Sequence, residues 1–348
     1  MDRRRFLLTS LAGSLAAPLA ADAQQAAVYK PEFRMSIVVG EETTWGRAAT
    51  RFADAVRYRT GGRIQIKTYF DGRLFADQQT TEFALLQQGT ADFAIGSTIN
   101  WSSQVTELNL FALPFMFPGY AAVDAVQAGE PGRRLFKLIE QRGVVPITWG
   151  ENGFRELTNS KRSVRRPEDL QGLTVRVVGI PIFADIFRAL GANPVNMNFG
   201  EAVHAIRQGR LEAQENPVAL IIPYTFWAAH KHLTLWHYII DPLIIAVSAK
   251  IWKSLRPEDR TIVWKVAEEI MVLQKQEARE GLQHDMAVLD TLRRVYGMEV
   301  VVLSRSTLQA FSDKTRLVYE KWAKEIGVDL VRRAERIVAN SHKYENEN

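Results

Sequence analysis

The chain has 348 residues, 47% hydrophobic and 24% charged, with 13 prolines and 22 glycines; that composition supports a buried core, that length suggests about two domains, and neither fits a disordered chain. The formal net charge is +5, but the basic residues are spread out and the densest run, Lys161 to Arg166, passes straight into Pro167-Glu168-Asp169, so no nucleic-acid footprint is expected. The absence of cysteine excludes disulfides, thiolate nucleophiles and cysteine-type zinc sites.

Residues 1–23 read as an export signal. Arg3, Arg4 and Arg5 are followed by an apolar stretch from Phe6 to Ala17 and a small-x-small cleavage pattern at Ala21-Asp22-Ala23. Arg3-Arg4-Arg5-Phe6-Leu7 is similar to a twin-arginine signal; Leu8 stands where a lysine often follows, which keeps the Sec route open.

Beyond the signal, strand and helix alternate. A short β-rich run from Arg34 to Val39 precedes a helix carrying Ala48, Phe52, Ala55 and Val56, stopped at Gly61-Gly62. Ile64 to Phe70 alternates as a strand; a helix with Phe83 and Leu86 inward stops at Gly89; Ala91 to Ile95 is the next strand. A second set comprises a turn at Pro167 to Leu170, a strand Leu173 to Val178, a helix Ile182 to Leu190, a strand at Val195 and Met197, and a helix Glu201 to Gln208. The first set, β-α-β-α-β, argues for a parallel sheet flanked by helices, and with the second it makes two α/β units. Tyr238 to Ser248 reads as a strand passage broken at Asp241-Pro242. From Pro257 the pattern is helical; continued to Arg294 it makes a helix on the order of 50 Å, long enough to lie across both domains. A strand at Met298 to Leu303 and a helix at Leu308 to Ile326 follow.

Ligands of open α/β sheets bind beyond the carboxyl ends of the strands, and two such domains would close on a ligand between them. That places the candidate segments at 40–45, 96–101, 149–155 and 176–180. No Gly-x-Ser-x-Gly, Gly-x-Gly-x-x-Gly or Gly-x-x-x-x-Gly-Lys motif occurs, so a serine-hydrolase elbow, a dinucleotide fold and a P-loop have no support. His230, His232 and His237 look like a polar helix end and its sequel, not a metal set, and neither metal nor cofactor is expected.

Four phrases in order, WGENGFRELTNSKR (149–162), PEDLQGLTVRV (167–177), ALGANPVNM (189–197) and LEAQENP (211–217), closely resemble the solute-binding proteins of tripartite ATP-independent periplasmic (TRAP) transporters, the DctP-like family. Weaker echoes, including FDGRLF and FALPFMFPGY, extend the resemblance over nearly the whole mature chain. It implies an α/β two-domain periplasmic binding protein fold with interdomain crossings, and a long spanning helix. It also implies a small organic carboxylate as ligand, and one small and one large membrane subunit as partners. The domains are then 28–152 with about 241–280, and 153–240 with about 281–348.

By the same resemblance Arg176 clamps the ligand carboxylate, an arrangement suited to the two parallel donors of a guanidinium. Asn216 donates to the same group, Phe199 packs on the ligand, and Arg155 lies near it. Arg155 could pair with a second ligand oxygen or form an ion pair with Glu215. Trp45, Trp149, Phe75 and Trp101 are aromatic candidates around the cleft, although aromatics also build cores. Glu41, Ser97, Thr98 and Asn100 sit in post-strand loops, and Glu215 is a candidate contact. The segment LTLWHYIIDP (233–242), with Trp236, His237 and Tyr238, departs from the family's usual Asn-His pair and is the expected zone of ligand selectivity, leaning towards an aromatic or branched acid. Two rivals stand beside a TRAP receptor. One is an exported α/β enzyme using Glu151, Glu215 or His237 as base, and the other a binding subunit for an ABC transporter or a sensor.

Overall fold

The structure is a computed structural model and describes residues 29–76, 78–282 and 286–345. The expected signal, 1–23, lies outside them. Ten strands form a mixed sheet: β1 (Phe33–Ser36), β2 (Ile66–Tyr69), β3 (Phe93–Ser97), β4 (Val144–Asn159), β5 (Thr174–Val177), β6 (Asn193–Asn196), β7 (Ala213–Pro217), β8 (His232–Leu235), β9 (Ile240–Ser248) and β10 (Glu299–Val302). Their order is β2-β1-β3-β9-β4-β7-β5-β6, with β8 beside β4 and β10 on β8. The parallel sets β2-β1-β3 and β6-β5-β7 form the two units foreseen from the alternating pattern. The expected α/β two-domain fold with crossings is the fold the chain adopts.

The crossings are β4 and the β8–β9 run. One end of β4 pairs with β9 in the first unit, and the other with β7 and β8 in the second. The boundary expected at 152/153 falls inside β4, at a bulge between Glu151 and Gly153. Gly153 has φ +124°, and a Cβ there would sit 3.3 Å from the Pro217 ring, so glycine lets the strand bend where it leaves one unit for the other. Pro242 lies opposite Glu151 at this bulge. The ladder is already interrupted there, so the proline costs no bond, and β9 runs through Asp241-Pro242 where a break was expected.

Side chains of β9 alternate between two cores. Leu243, Ile245 and Val247 face helices on one side of the sheet, and Ile240, Ile244 and Ala246 face those on the other. The helix from Pro257 ends at Arg279, about 35 Å from its start, and not at Arg294. Gly281 at φ +69° and Met286 at φ +51° turn the chain before a separate helix, Ala287–Arg294. The longer helix packs on Thr44–Arg59 and on β4. Its last two turns are tied to the crossing: Gln274 exchanges two hydrogen bonds with the Glu151 backbone, and Arg279 bridges Asp124 and Glu151. Residues 281–348, expected on the second unit, divide. β10 joins β8, and helix Arg305–Ile326 lies on Pro181–Ala189 and on the 3₁₀ turn Thr106–Ala112. The C-terminal helix Val328–Glu345 packs on Tyr120–Ala128 and Glu130–Gln141, next to the first unit.

Candidate ligand site in the cleft

Where β3, β4, β5, β7 and β9 end or cross, a pocket bounds about 310 Å³ of space between protein atoms, part of it open to solvent. The first unit contributes Val38, Val39, Trp45, Gln79, Ser97, Ile99 and Asn100; the second contributes Arg176, Val178, Phe199, Asn216 and Leu220; the crossings add Asn152, Arg155 and Asp241.

Arg176 is 1% exposed. Its Nε donates to the Met197 carbonyl at 2.8 Å, and its Nη2 has no hydrogen-bond partner. No carboxylate pairs with it among the described residues. Burial pushes its pKa down to about 10; Glu215 pulls it upward at a distance and Arg155 adds to the depression. Arg155 is also buried but neutralised. Its Nε and Nη2 form a fork onto the Glu215 carboxylate, Nη2 also reaches the Glu215 carbonyl at 2.7 Å, and Nη1 stands 3.5 Å from Asp241. Burial opposes its charge, yet Glu215 and Asp241 hold its pKa above the ordinary arginine value.

Both acids are occupied by the protein itself. Glu215 also accepts from the Tyr238 hydroxyl at 2.7 Å. Asp241 accepts from Ser97 (2.6 Å), Asn152 (2.8 Å) and, at 3.4 Å, Thr98. Burial raises the Asp241 pKa, with Arg155, Asn152 and Ser97 working against the rise.

Asn216 is held by a relay of neutral groups. Its Nδ2 donates to Gln214 Oε1 (2.5 Å), and Gln214 Nε2 donates to Thr158 Oγ1 (2.7 Å). Thr158 Oγ1 lies 2.9 Å from His230 Nδ1, and His230 Nε2 lies 3.0 Å from the Leu211 carbonyl. A carbonyl only accepts, so the Nε2 proton stays on His230 and Nδ1 receives the threonine hydrogen.

Of the residues singled out in the sequence, Trp45, Ser97, Asn100, Arg155, Arg176, Phe199 and Asn216 meet at this cavity. Trp45 is fixed by its indole N–H to the Ile95 carbonyl at 2.8 Å. Glu215 and Tyr238 stand behind Arg155, and Thr98 stands behind Ser97. Glu41 is exposed and accepts from Thr50 (2.7 Å). Trp149 packs between Phe136 and Phe111, away from the cavity wall. Trp101 is core, with its indole on Glu82, and Phe75 lines a neighbouring outer chamber. The expected selectivity zone is displaced as well. Trp236 is buried against Phe115, Phe187, Tyr238 and Phe311, while His237 stacks on Phe154 and pairs with Glu156. Its bulk builds core and does not line the cavity. The three histidines part company: His230 closes the Asn216 relay, His232 pairs with Glu299, and His237 with Glu156. Sequence reasoning missed Gln79 and Asp241. Gln79 lies in a run, Gln78-Gln79-Thr80-Thr81, without periodicity, and Asp241 looked like a strand break.

Two α/β units crossed by shared strands, with a buried, unpaired arginine in the cleft between them, define a two-lobed receptor for a small anion. The profile of bacterial extracellular solute-binding protein family 7 (DctP) matches residues 35–325, and the chain belongs to that family. A "solute-binding protein" of Verminephrobacter eiseniae is 32% identical over 65% of this chain and 67% of its own. Among solved structures, a TRAP periplasmic solute binding protein from Ralstonia eutropha H16 with bound (S)-2-acetolactate superposes with a TM-score of 0.88 at 45% identity, covering 90% of this chain and all of that one. Another from Sulfitobacter sp. NAS-14.1, with bound β-D-galacturonate, gives 0.81 at 27% identity, over 88% of this chain and 99% of that one. Among the described residues no helix is long and apolar enough to cross a membrane.

Proposed function

We propose that this protein is a periplasmic receptor for a short monocarboxylic acid with a compact, branched body, which it delivers to the small and large membrane subunits of a TRAP transporter. The observation that carries this reading is Arg176: a buried guanidinium at the cavity wall whose Nη2 has no partner. A charge so placed costs several kcal/mol unless a counter-ion arrives, and a ligand carboxylate supplies one. Asn216 keeps its second Nδ2 hydrogen for the same carboxylate. Arg155 is already taken up by Glu215 and Asp241, which leaves Arg176 as the guanidinium at the cavity without a carboxylate contact and favours a monoacid over a dicarboxylate. Val38, Val39, Ile99, Val178 and Leu220 offer an apolar wall for methyl groups. The acetolactate carried by the Ralstonia eutropha relative is an acid of this shape.

The enzyme reading fares worse: Glu215 and Asp241, the acids closest to the cavity, already accept from arginine, tyrosine, serine and asparagine donors, and neither is free to take a proton from a substrate. The family favours a TRAP partner over an ABC transporter or a sensor. The export signal at 1–23 takes the chain to the periplasm.

The test is a thermal-shift series on the mature protein with 2-hydroxy-2-methyl-3-oxobutanoate, other short 2-hydroxy and 2-oxo monoacids, and succinate. A monoacid at about a hundred times its Kd adds about 2.7 kcal/mol of stability, and it should be recovered unchanged. Stabilisation by succinate alone would refute the monoacid assignment, and consumption of the acid would restore the enzyme.

A further inference from the structure

We infer that the Gln79 side chain is a partition that sets the longest acid the receptor accepts; this rests on the carboxylate-receptor reading above. Val38, Gln79 and Phe199 line the inner cavity on one side and, on the other, an outer chamber, partly open to solvent, that also touches Asp71, Arg207 and Tyr224. Gln79 is the polar member of this shared wall, and its amide is tied at both ends. Nε2 donates to Asn100 Oδ1 at 2.8 Å within the first unit, and Oε1 accepts the Phe199 N–H at 2.7 Å from the second. The side chain is 5% exposed, so it is a fixed wall and not a waving surface group.

The cleft does not depend on Gln79 alone to stay shut. Tyr224 accepts the Gly40 N–H at 2.6 Å, a second bond from one unit to the other, and its ring meets Phe199 edge-on at 4.8 Å. Shortening Gln79 therefore joins the two spaces while leaving a closing contact in place. The outer chamber, with the charged groups of Asp71 and Arg207, suits the hydroxylated tail of a six-carbon sugar acid whose carboxylate still reaches Arg176. A methylene or two in a fixed pocket separates ligands by one to two orders of magnitude, so a wall of this size is enough to set a length limit.

The experiment is calorimetric titration of 2-hydroxy-2-methyl-3-oxobutanoate and of galacturonate into the native receptor, Gln79→Ala and Gln79→Met, each first shown to melt cooperatively. The native protein is expected to bind the short acid and to refuse galacturonate. Gln79→Ala is expected to gain galacturonate affinity by about tenfold or more. Gln79→Met keeps the length of the side chain without its amide and is expected to go on refusing it. The partition is overturned if Gln79→Ala holds the short acid and still rejects galacturonate. It is equally overturned if methionine admits galacturonate as well as alanine does, or if the native protein already binds both. A native protein that binds no short acid would bring down the receptor reading itself, and the partition with it.

Discussion

Arg155 and Arg176 are both buried, both on strands, and both at the wall of one cavity, yet their surroundings differ in kind. Arg155 sits on a crossing strand with Glu215 forked onto it and Asp241 close by, so its charge is cancelled within the fold. Arg176, at the end of β5, has one carbonyl on Nε and nothing on Nη2. Burial of charge is common to both; what marks a ligand contact is the missing partner. The first arginine holds the crossing strands together, and the second leaves an unmet demand in the cleft.

The largest effect should come from making Arg155 resemble Arg176. Glu215→Gln strands a buried guanidinium and is expected to cost about 3–5 kcal/mol of stability, read as a fall in the urea midpoint. The double replacement Arg155→Met with Glu215→Leu, made in a Tyr238→Phe background so that no buried hydroxyl loses its Glu215 acceptor, should recover most of that loss, because an apolar pair of similar volume needs no compensation. Failure of the double replacement to recover would mean that Arg155 does more than balance charge.

Next is the converse. Arg176→Met is expected to lower acid affinity by about 2–5 kcal/mol while the unliganded protein melts no earlier than the native one, since the change removes an uncompensated charge. An early-melting variant with ligand affinity intact would reverse the roles given to the two arginines.

The smallest of the three concerns the neutral relay behind Asn216. Burial pushes the His230 pKa down to about 4, with the Leu211 carbonyl opposing. Folded His230 thus stays neutral where the unfolded chain takes up a proton, between pH 6.5 and about 4. Its contribution is full above 6.5 and is lost as pH falls through that window, by up to about 3 kcal/mol. His230→Gln should flatten this part of the stability profile; a variant as acid-sensitive as the native protein would show that the loss arises elsewhere.

Much of the frame was readable because glycines punctuate it. Gly89, Gly191 and Gly209 adopt positive φ at or just beyond helix ends, which is what Gly after an amphipathic run predicts. The β4 crossing was not read: a strand buried on both faces has no alternation, and Gly150 and Asn152-Gly153 look like turn signals when they in fact mark a bend within one strand. At the site, the type of residue was legible and its pairing was not. Nothing in the spacing says that Glu215 will choose Arg155 and leave Arg176 alone, because that choice depends on which edge of β4 receives β7. Trp236 and Tyr238 misled for a simpler reason: bulk in a sequence gives no direction, and here it points into a core shared with Phe187 and Phe311.

The order in which the strands pair governs how the chain can be made. β3 pairs early with β1 but gains its second neighbour only when β9 arrives, with Phe93 opposite Val247, and the last helix, Val328–Glu345, packs on helices Tyr120–Ala128 and Glu130–Gln141. A ribosome delivering residues from the amino end therefore cannot complete the first lobe before the second. Loop closure over such distances is slow, and loss of helix Val328–Glu345 would strip cover from a lobe whose other parts were made about two hundred residues earlier.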